Sequence, residues 1–237
     1  MREQQGDGFL QQLAQQRDPA ERISVLAESL HAEESPELRA LEKEALSENV
    51  PIIRPQTRGL IRCLLEMLAP SKILEVGTAV GYSALVMDTY CPSPCSIVTI
   101  ERDPERAAKA RENFKRFGAD RITLMEGDAA DILPGLVGPF DFIFMDAAKG
   151  QYIRFLPEVI RLLAPGGVLL SDNVLKDGEI LASKFAVTRR DRTIHKRMRE
   201  YLAAISEDER LCTVLLETGD GAALSVRRRG ACGQKTE

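Results

Sequence analysis

The chain has 237 residues, a hydrophobic content of 44%, a charged content of 29% and a formal net charge of −4. These values are ordinary for a globular protein with a substantial core, and they argue against a protein that is basic over its whole surface. No apolar run approaches the roughly 18 residues of a membrane span, and the N-terminus lacks a signal-peptide core, so we expect a cytoplasmic protein.

Cysteine and histidine usage limits the metal chemistry. The cysteines are scattered, and no second close pair completes a zinc site beside Cys91 and Cys95. We therefore expect reduced structural thiols. With only His31 and His195 in the chain, a histidine-rich metal site is excluded.

Helical patterns occupy the first part of the chain. Apolar residues recur at helical spacing between residues 8 and 48, and Ser35–Pro36 begins a further helical stretch. Pro51 and Pro55 interrupt the pattern before a helix over residues 56–68. The sequence thus predicts an N-terminal helical extension over residues 1–49.

The pattern then changes to strands that alternate with helices. Strands are predicted at 72–77, 96–101, 121–127, 140–146 and 167–173, and helices lie between them at 82–90, 104–117 and 151–163. This alternation predicts an α/β fold in which helices cover both faces of a parallel sheet. The segment 212–229 reads instead as a hairpin around Gly219–Asp220–Gly221, and residues 230–237 are expected to be disordered.

A glycine-rich turn joins the first strand to its helix. The segment LEVGTAVGYS carries Glu75, Gly77, Gly81 and Ser83. Glycines before a helix N-terminus let a ligand approach the backbone. The Gly-x-x-x-Gly spacing differs from the dinucleotide fingerprint, which favours a cofactor without a pyrophosphate.

Acidic residues follow the next two strands. Glu101 ends the second strand, where a carboxylate suits the hydroxyls of a ribose, and Asp128 follows the third strand, where it could meet an adenine edge. The alternative interpretation is a tight turn at the glycines and solvated acids at the strand ends.

Two further strands end in aspartate. Asp146 ends the fourth strand and Asp172 the fifth, with Asn173 beside it. Two carboxylates and an amide oxygen suit magnesium or another hard divalent ion. Lys149 follows Asp146 by three residues and could take a proton or stabilise an oxyanion. The alternative is that the aspartates cap the following turns and that Lys149 is a surface charge.

These motifs together resemble the class I S-adenosylmethionine-dependent methyltransferases, and among them the metal-dependent O-methyltransferases of the catechol and caffeoyl-CoA type. The resemblance runs from about Val50 to Val226 and indicates a methyltransferase domain over residues 50–229. It implies a Rossmann-like doubly wound sheet of seven strands with the last strand antiparallel. It also implies a homodimer, since members of the family are often dimers.

The resemblance assigns roles to single residues. The glycine loop would hold the methionine part of S-adenosylmethionine, Glu101 its ribose, and Asp128 with Ala129 its adenine. The implied cofactor residues are Val50, Glu75, Gly77, Gly81, Ser83, Glu101, Asp128, Ala129 and Asp146. Mg²⁺ would be bound by Asp146, Asp172 and Asn173, and Lys149 matches the residue proposed as the base in this family.

A basic segment bears on the substrate. Between residues 189 and 199 the chain carries Arg189, Arg190, Arg192, His195, Lys196, Arg197 and Arg199. Together with DAAKGQY and SDNVL, this segment resembles bacterial tRNA methyltransferases that convert 5-hydroxyuridine at the wobble position to 5-methoxyuridine. The implied partner is the anticodon loop of tRNA, contacted by Arg189, Arg190, Arg192, His195 and Arg197. An ordinary amphipathic helix with a solvated cationic face is the alternative.

Three functions therefore stay open. The first is tRNA methylation, because the 5-hydroxyl and 4-carbonyl of the base chelate a metal as a catechol does. The second is methylation of small catechol-like or CoA-linked phenols, although Ala147 and Ala148 stand where catechol enzymes carry bulky residues. The third is a non-catalytic cofactor-binding interaction protein, against which the set Asp146, Lys149, Asp172 and Asn173 counts.

Overall fold

The computed structural model describes residue 26, residues 34–175 and residues 192–230. The chain divides into two compact units, Met1–Ser35 and Pro36–Glu237. The predicted boundary at residues 49–50 falls inside the second unit, because the helix that begins at Pro36 packs into its core. Most of the predicted N-terminal helices, and the predicted disordered tail beyond Gly230, lie outside the described residues.

Seven strands form one sheet in the described part of the second unit. They are β1 (Lys72–Val76), β2 (Ser96–Glu101), β3 (Ile122–Glu126), β4 (Phe140–Met145), β5 (Leu163–Ser171), β6 (Leu211–Leu216) and β7 (Ala222–Arg227). Their order is β3-β2-β1-β4-β5-β7-β6. Strands β1 to β5 pair in parallel, whereas β7 runs antiparallel to both β5 and β6. The predicted seven-stranded sheet with an antiparallel last strand, and the predicted hairpin, are confirmed.

Helices connect the strands at the predicted places. In the described second unit they are α1 (Pro36–Ser47), α2 (Pro55–Leu68), α3 (Tyr82–Tyr90), α4 (Pro104–Phe117), α5 (Ala129–Ile132), α6 (Tyr152–Leu162) and α7 (Arg192–Glu207). Local chemistry sets their bounds. Before α4, for example, the Asp103 carboxylate accepts hydrogen bonds from the N–H groups of Glu105 and Arg106, and Gly118 ends the helix in a left-handed conformation. The described part of the chain contains no helix with the length and apolar character that crossing a membrane requires.

The sheet is buried on both faces, and β4 shows how. Ile143 and Met145 point into a core that includes residues of α6 and α7. Phe142 and Phe144 point the other way, into a core that includes residues of α1, α2 and α3. Successive side chains of a strand face opposite sides, so a central strand covered by helices on both sides must be apolar throughout.

The strand order reverses beside β1. Strands β2 and β3 lie on one side of it, and β4 and β5 lie on the other. In open parallel sheets a crevice forms at such a point, outside the carboxyl ends of the strands, and ligands bind there. The fold therefore brings the segments after β1, β2, β4 and β5 to one edge.

Candidate functional site

A cavity of about 390 Å³ occupies this edge of the sheet. The predicted site residues that line it are Gly77, Ser83, Glu101, Asp128, Ala129, Asp146, Asp172 and Asn173. Val50, Glu75, Gly81 and Lys149 are not among its lining residues, and the chain after Val50 contributes residues 51–54 instead. One cavity thus joins the strand ends that were assigned to cofactor and to metal.

The turn after β1 needs its glycines for packing reasons. Gly77 has φ +100°, and a Cβ atom there would lie 2.0 Å from the carbonyl oxygen of Asp146. Gly81 has φ +87°, and its Cβ would lie 2.6 Å from the ring of Phe114. Gly77 therefore allows the β1 turn to approach the end of β4, whereas Gly81 makes room for a side chain of α4 rather than for a ligand.

Glu75 lies at the bottom of this turn and is fully buried. Thr99 donates a hydrogen bond to Oε2 over 2.5 Å, and the Thr99 hydroxyl also contacts the hydroxyl of Thr78, which lines the cavity. Oε1 has no hydrogen-bond partner among the described residues. Burial raises the pKa of Glu75 to about 7, against the opposing effect of the Ser83 and Thr99 hydroxyls.

Glu101 is held in one orientation by the backbone. Its Oε2 accepts a hydrogen bond from the N–H of Ala79 at 2.8 Å, and its Oε1 accepts from the N–H groups of Arg102 and Asp103 at 2.9 Å each. A carboxylate oxygen has further lone pairs, so these bonds fix the group and still leave it able to accept from a ligand hydroxyl. The side chain is buried at the cavity wall.

The Asp128 carboxylate caps a helix. It accepts a hydrogen bond from the N–H of Ala130 at 2.9 Å and begins α5. Asp128 and Ala129 both line the cavity. Asp128 can therefore cap the helix and still lie where the predicted adenine contact requires it. Arg102 and Arg106 line the cavity as well, and no motif in the sequence predicts that either does.

The two strand-end aspartates and Asn173 lie together. The amide nitrogen of Asn173 donates to Oδ1 of Asp146 over 3.0 Å. Oδ1 of Asp172 accepts from the backbone N–H of Asn173 at 2.9 Å and from the hydroxyl of Thr57 at 3.3 Å. Asn173 has φ +60°, a left-handed conformation that asparagine adopts more readily than most residues.

The charges of these two aspartates repel each other. Burial raises the pKa of Asp172 to about 7, and the neighbouring charge of Asp146 adds to the effect. Burial also raises the pKa of Asp146, while the Asn173 amide and the positive charge of Lys149 lower it. A cation between the carboxylates would relieve this repulsion, which fits the predicted oxygen-donor set.

Cation binding here would depend on two carboxylates and an amide. Among residues 34–175 and 192–230, no three side chains of the His, Cys, Asp or Glu type are grouped closely enough to hold a metal ion. Lys149 begins the short turn Lys149–Gln151 that follows Asp146. The positive charge of Lys149 lowers the pKa of Asp146, although Lys149 does not line the cavity.

A third carboxylate lies near this set, and sequence reasoning missed it. Asp220, from the turn between β6 and β7, lines the cavity and raises the pKa of both Asp146 and Asp172. Arg54, which precedes α2, pairs with Asp220 over 2.5 Å. The turn is held to the segment after β5, because the N–H of Leu175 donates to the Asp220 carbonyl at 3.1 Å.

The basic segment is described only from Arg192 onward, so Arg189 and Arg190 lie outside the described residues. Arg192 is exposed at the start of α7. His195 is instead buried on the same helix and cannot belong to an exposed cationic face, which corrects its assignment to that patch. Arg197 donates to the carbonyl of Gly150 at 3.2 Å, which attaches α7 to the turn after Asp146.

Comparison with known proteins places the chain among the O-methyltransferases. The family model described as O-methyltransferase matches residues 28–228. A catechol O-methyltransferase from Mycobacterium tuberculosis is 35% identical over 179 residues, which cover 74% of each chain. A catechol O-methyltransferase from Niastella koreensis is 37% identical over 134 residues, which cover 54% of this chain and 61% of that protein.

A solved structure shares the fold. The Podospora anserina methyltransferase PaMTH1, bound to S-adenosylhomocysteine, superposes with a TM-score of 0.78 at 28% identity. The match covers 88% of this chain and 95% of that one. The similarity therefore extends over most of both chains.

Proposed function

Because the chain belongs to the O-methyltransferase family, in its S-adenosylmethionine-dependent catechol and caffeoyl-CoA type, we propose that it methylates a chelating hydroxyl with the help of a divalent cation. The observation that carries the proposal is the cavity itself. Its wall holds Glu101 at one strand end and the pair Asp146 and Asp172 at two others. Cofactor and acceptor oxygen would thus share one enclosure.

The cofactor would occupy the side of the cavity formed after β1, β2 and β3. Glu101, already fixed by three backbone N–H groups, would accept hydrogen bonds from the ribose hydroxyls. Asp128 and Ala129 would border the adenine. Gly77 and Ser83 would border the methionine part, and Val50 and Gly81 would act through the backbone that they position. Glu75, which does not line the cavity, would act through the hydroxyls of Thr99 and Thr78, the second of which lies in the cavity wall.

Asp146, Asp172 and Asn173 would hold Mg²⁺ or another divalent ion. When bound, such an ion lowers the pKa of a coordinated hydroxyl and holds its oxygen in place for transfer. Lys149, whose positive charge lowers the pKa of Asp146, would stabilise the oxyanion in its charged form. In its neutral form it would take the hydroxyl proton and become charged. Alignment of the acceptor oxygen with the methyl group could supply roughly 7–11 kcal/mol of the barrier reduction.

The substrate that we propose is 5-hydroxyuridine at the wobble position of tRNA. Its 5-hydroxyl and 4-carbonyl form a chelating pair, and an unpaired anticodon base can be reached without melting a duplex. The contact between Arg197 and Gly150 supports this proposal, because it attaches the arginine-rich segment to the turn that follows Asp146. Arg192 is exposed at the N-terminal end of the same helix.

Small catechol-like phenols are the second candidate, and the names of the relatives favour them. The proteins from Mycobacterium tuberculosis and Niastella koreensis are both named as catechol O-methyltransferases. Such a substrate would use the same pair of aspartates. A cofactor-binding protein without activity is the third candidate, and turnover of either substrate would exclude it. The cytoplasmic location and the homodimer expected from the sequence stay predictions.

Separate assays with the two candidate substrates test the proposal. The purified chain would be incubated with S-adenosylmethionine and Mg²⁺, and either tRNA containing 5-hydroxyuridine or a small catechol would be added. Mass spectrometry of the nucleosides should show 5-methoxyuridine, and a chelator should abolish it. Efficient methylation of the catechol alone would establish the second candidate, and turnover of neither would contradict both.

A further inference from the structure

A buried tyrosine connects the two strand ends that carry the proposed metal ligands. Tyr152, the first residue of α6, is fully buried. Its hydroxyl lies 3.1 Å from the carbonyl oxygen of Met145 and 3.0 Å from that of Asp172, to which it can donate. The same oxygen accepts a hydrogen bond from the N–H of Ala147 at 3.2 Å. Met145 and Ala147 flank Asp146, so one hydroxyl contacts the backbone on both sides of Asp146 and at Asp172.

These contacts lie where the sheet ladder ends. Met145 and Ser171 form the last register pair between β4 and β5, and the N–H of Asp172 donates to the Met145 carbonyl at 3.0 Å. The two carboxylates leave their strands at this point. A displacement of either backbone segment would therefore move a carboxylate, because the short aspartate side chain has only two rotatable bonds to absorb the shift.

We propose that Tyr152 is a positioning residue whose hydroxyl fixes the separation of Asp146 and Asp172 and thereby sets the affinity of the site for a divalent cation. The inference rests on the proposed function for the cation itself. It adds a residue that does not line the cavity. Groups that hold metal ligands in place typically change metal affinity by about 10–100-fold when they are removed.

Tyr201 provides a matched control in the same core. It is also fully buried, and its ring packs edge-on against Tyr152 with the ring centroids 5.4 Å apart. Its hydroxyl contacts the side-chain oxygen of Ser171 at 2.5 Å. Tyr201→Phe would thus remove a buried hydroxyl beside β5 without removing a bond to the backbone on either side of Asp146.

The test compares the full chain with Tyr152→Phe and Tyr201→Phe. Calorimetric titration with MgCl₂ and with MnCl₂ gives the cation affinity, titration with S-adenosylmethionine gives the cofactor affinity, and thermal melts report on the fold. We expect Tyr152→Phe to weaken cation binding by about 10-fold or more. Cofactor affinity should change less than about twofold, and Tyr201→Phe should bind cations like the unmodified chain.

Each other outcome contradicts a defined part of the proposal. Unchanged cation affinity in Tyr152→Phe, or an equal loss in both variants, would overturn the positioning role. Loss of the fold in Tyr152→Phe, with Tyr201→Phe intact, would show that the hydroxyl serves stability and would overturn the role as well. If the unmodified chain binds no divalent cation, the metal part of the proposed function fails, and the inference fails with it.

Discussion

Each buried carboxylate of the cavity region has a different set of partners. Glu101 receives three backbone N–H groups, whereas Glu75 receives a hydroxyl on one oxygen and no partner on the other among the described residues. Burial disfavours the charged form of a carboxylate that has few donors, and this is why the pKa of Glu75 is raised to about 7. Substitution of Glu101 is therefore expected to affect ligand binding, whereas substitution of Glu75 is expected to affect the pH dependence of stability.

Glu101→Gln should weaken the binding of S-adenosylmethionine by about 1–3 kcal/mol, the loss expected when a hydrogen bond to a charged group is removed. Isothermal titration calorimetry measures the change. Glu126→Gln is the matched control, because Glu126 ends the neighbouring strand opposite Glu101 and does not line the cavity. Equal affinities in the two variants would contradict the ribose assignment.

Glu75 should make the free protein less stable as the pH rises. Its pKa is raised by burial from 4.5 to about 7, so between these values the folded state holds a proton that the unfolded state has lost. The contribution to folding is complete below pH 4.5 and disappears as the pH passes 7, a loss of about 3 kcal/mol. Asp172, whose pKa is also raised, contributes with the same sign.

Urea denaturation of Glu75→Gln at pH 5 and pH 8 tests this expectation. The neutral side chain does not ionise, so the free energy of unfolding should fall less between the two pH values than it does in the unmodified chain. An identical fall in both proteins would show that Glu75 is charged in the folded state throughout this range.

The turn after β1 packs directly against the backbone at the end of β4, and Gly77 makes this close approach possible. Gly77→Ala would place a Cβ atom 2.0 Å from the Asp146 carbonyl at a φ of +100°. We expect a loss of stability above the roughly 1–3 kcal/mol of backbone strain alone, because the turn and the end of β4 must separate. Gly118→Ala is the control, since Gly118 has φ +62° but nothing within 4 Å of the added atom. Equal losses in urea denaturation would contradict the close approach.

The strands and helices of the sheet domain could be predicted because their signals are local. The apolar run in β4 and the Asp103–Pro104 start of α4 each specify their element without help from distant residues. The same holds for the strand-end acids Glu101, Asp146 and Asp172, since the ends of parallel strands must meet at one edge.

The remaining site residues depend on tertiary packing. Asp220 enters the cavity because the β6–β7 turn is bonded to the segment after β5, and no sequence pattern gives that contact. His195 could have been placed correctly. Met198 follows it by three residues, and Ile205 by ten, which puts His195 on the apolar stripe of α7. The many cations of the segment favour its interpretation as an exposed patch, although the spacing of the apolar residues indicates a buried position for His195.

At the scale of the whole molecule, charge is distributed between two sides of the sheet. Helix α7 packs on the core that contains Met198 and Tyr201, and α1 packs on the opposite core with Leu38 and Leu41. Exposed cations on α7 therefore lie on a different face from those on α1. Within the described part of the chain, the α7 face is attached to the turn after Asp146 through Arg197 and Gly150, so we expect this face to contact a macromolecular substrate.

Replacement of Arg189, Arg190 and Arg192 should weaken the binding of tRNA but not of a small phenol. Each phosphate contact that Arg189, Arg190 or Arg192 provides adds to the salt dependence of binding. Its loss should reduce the log–log salt slope by about 0.7–0.9. The triple alanine variant should also raise the KM for tRNA, while turnover of a catechol, which needs no phosphate contact, stays nearly constant. Lys43→Ala on α1 is the control and should leave both the slope and the KM unchanged. A KM for tRNA that is unaffected in the triple variant would contradict the role of this segment, and a salt-insensitive enzyme that methylates only the catechol would favour the small-molecule function.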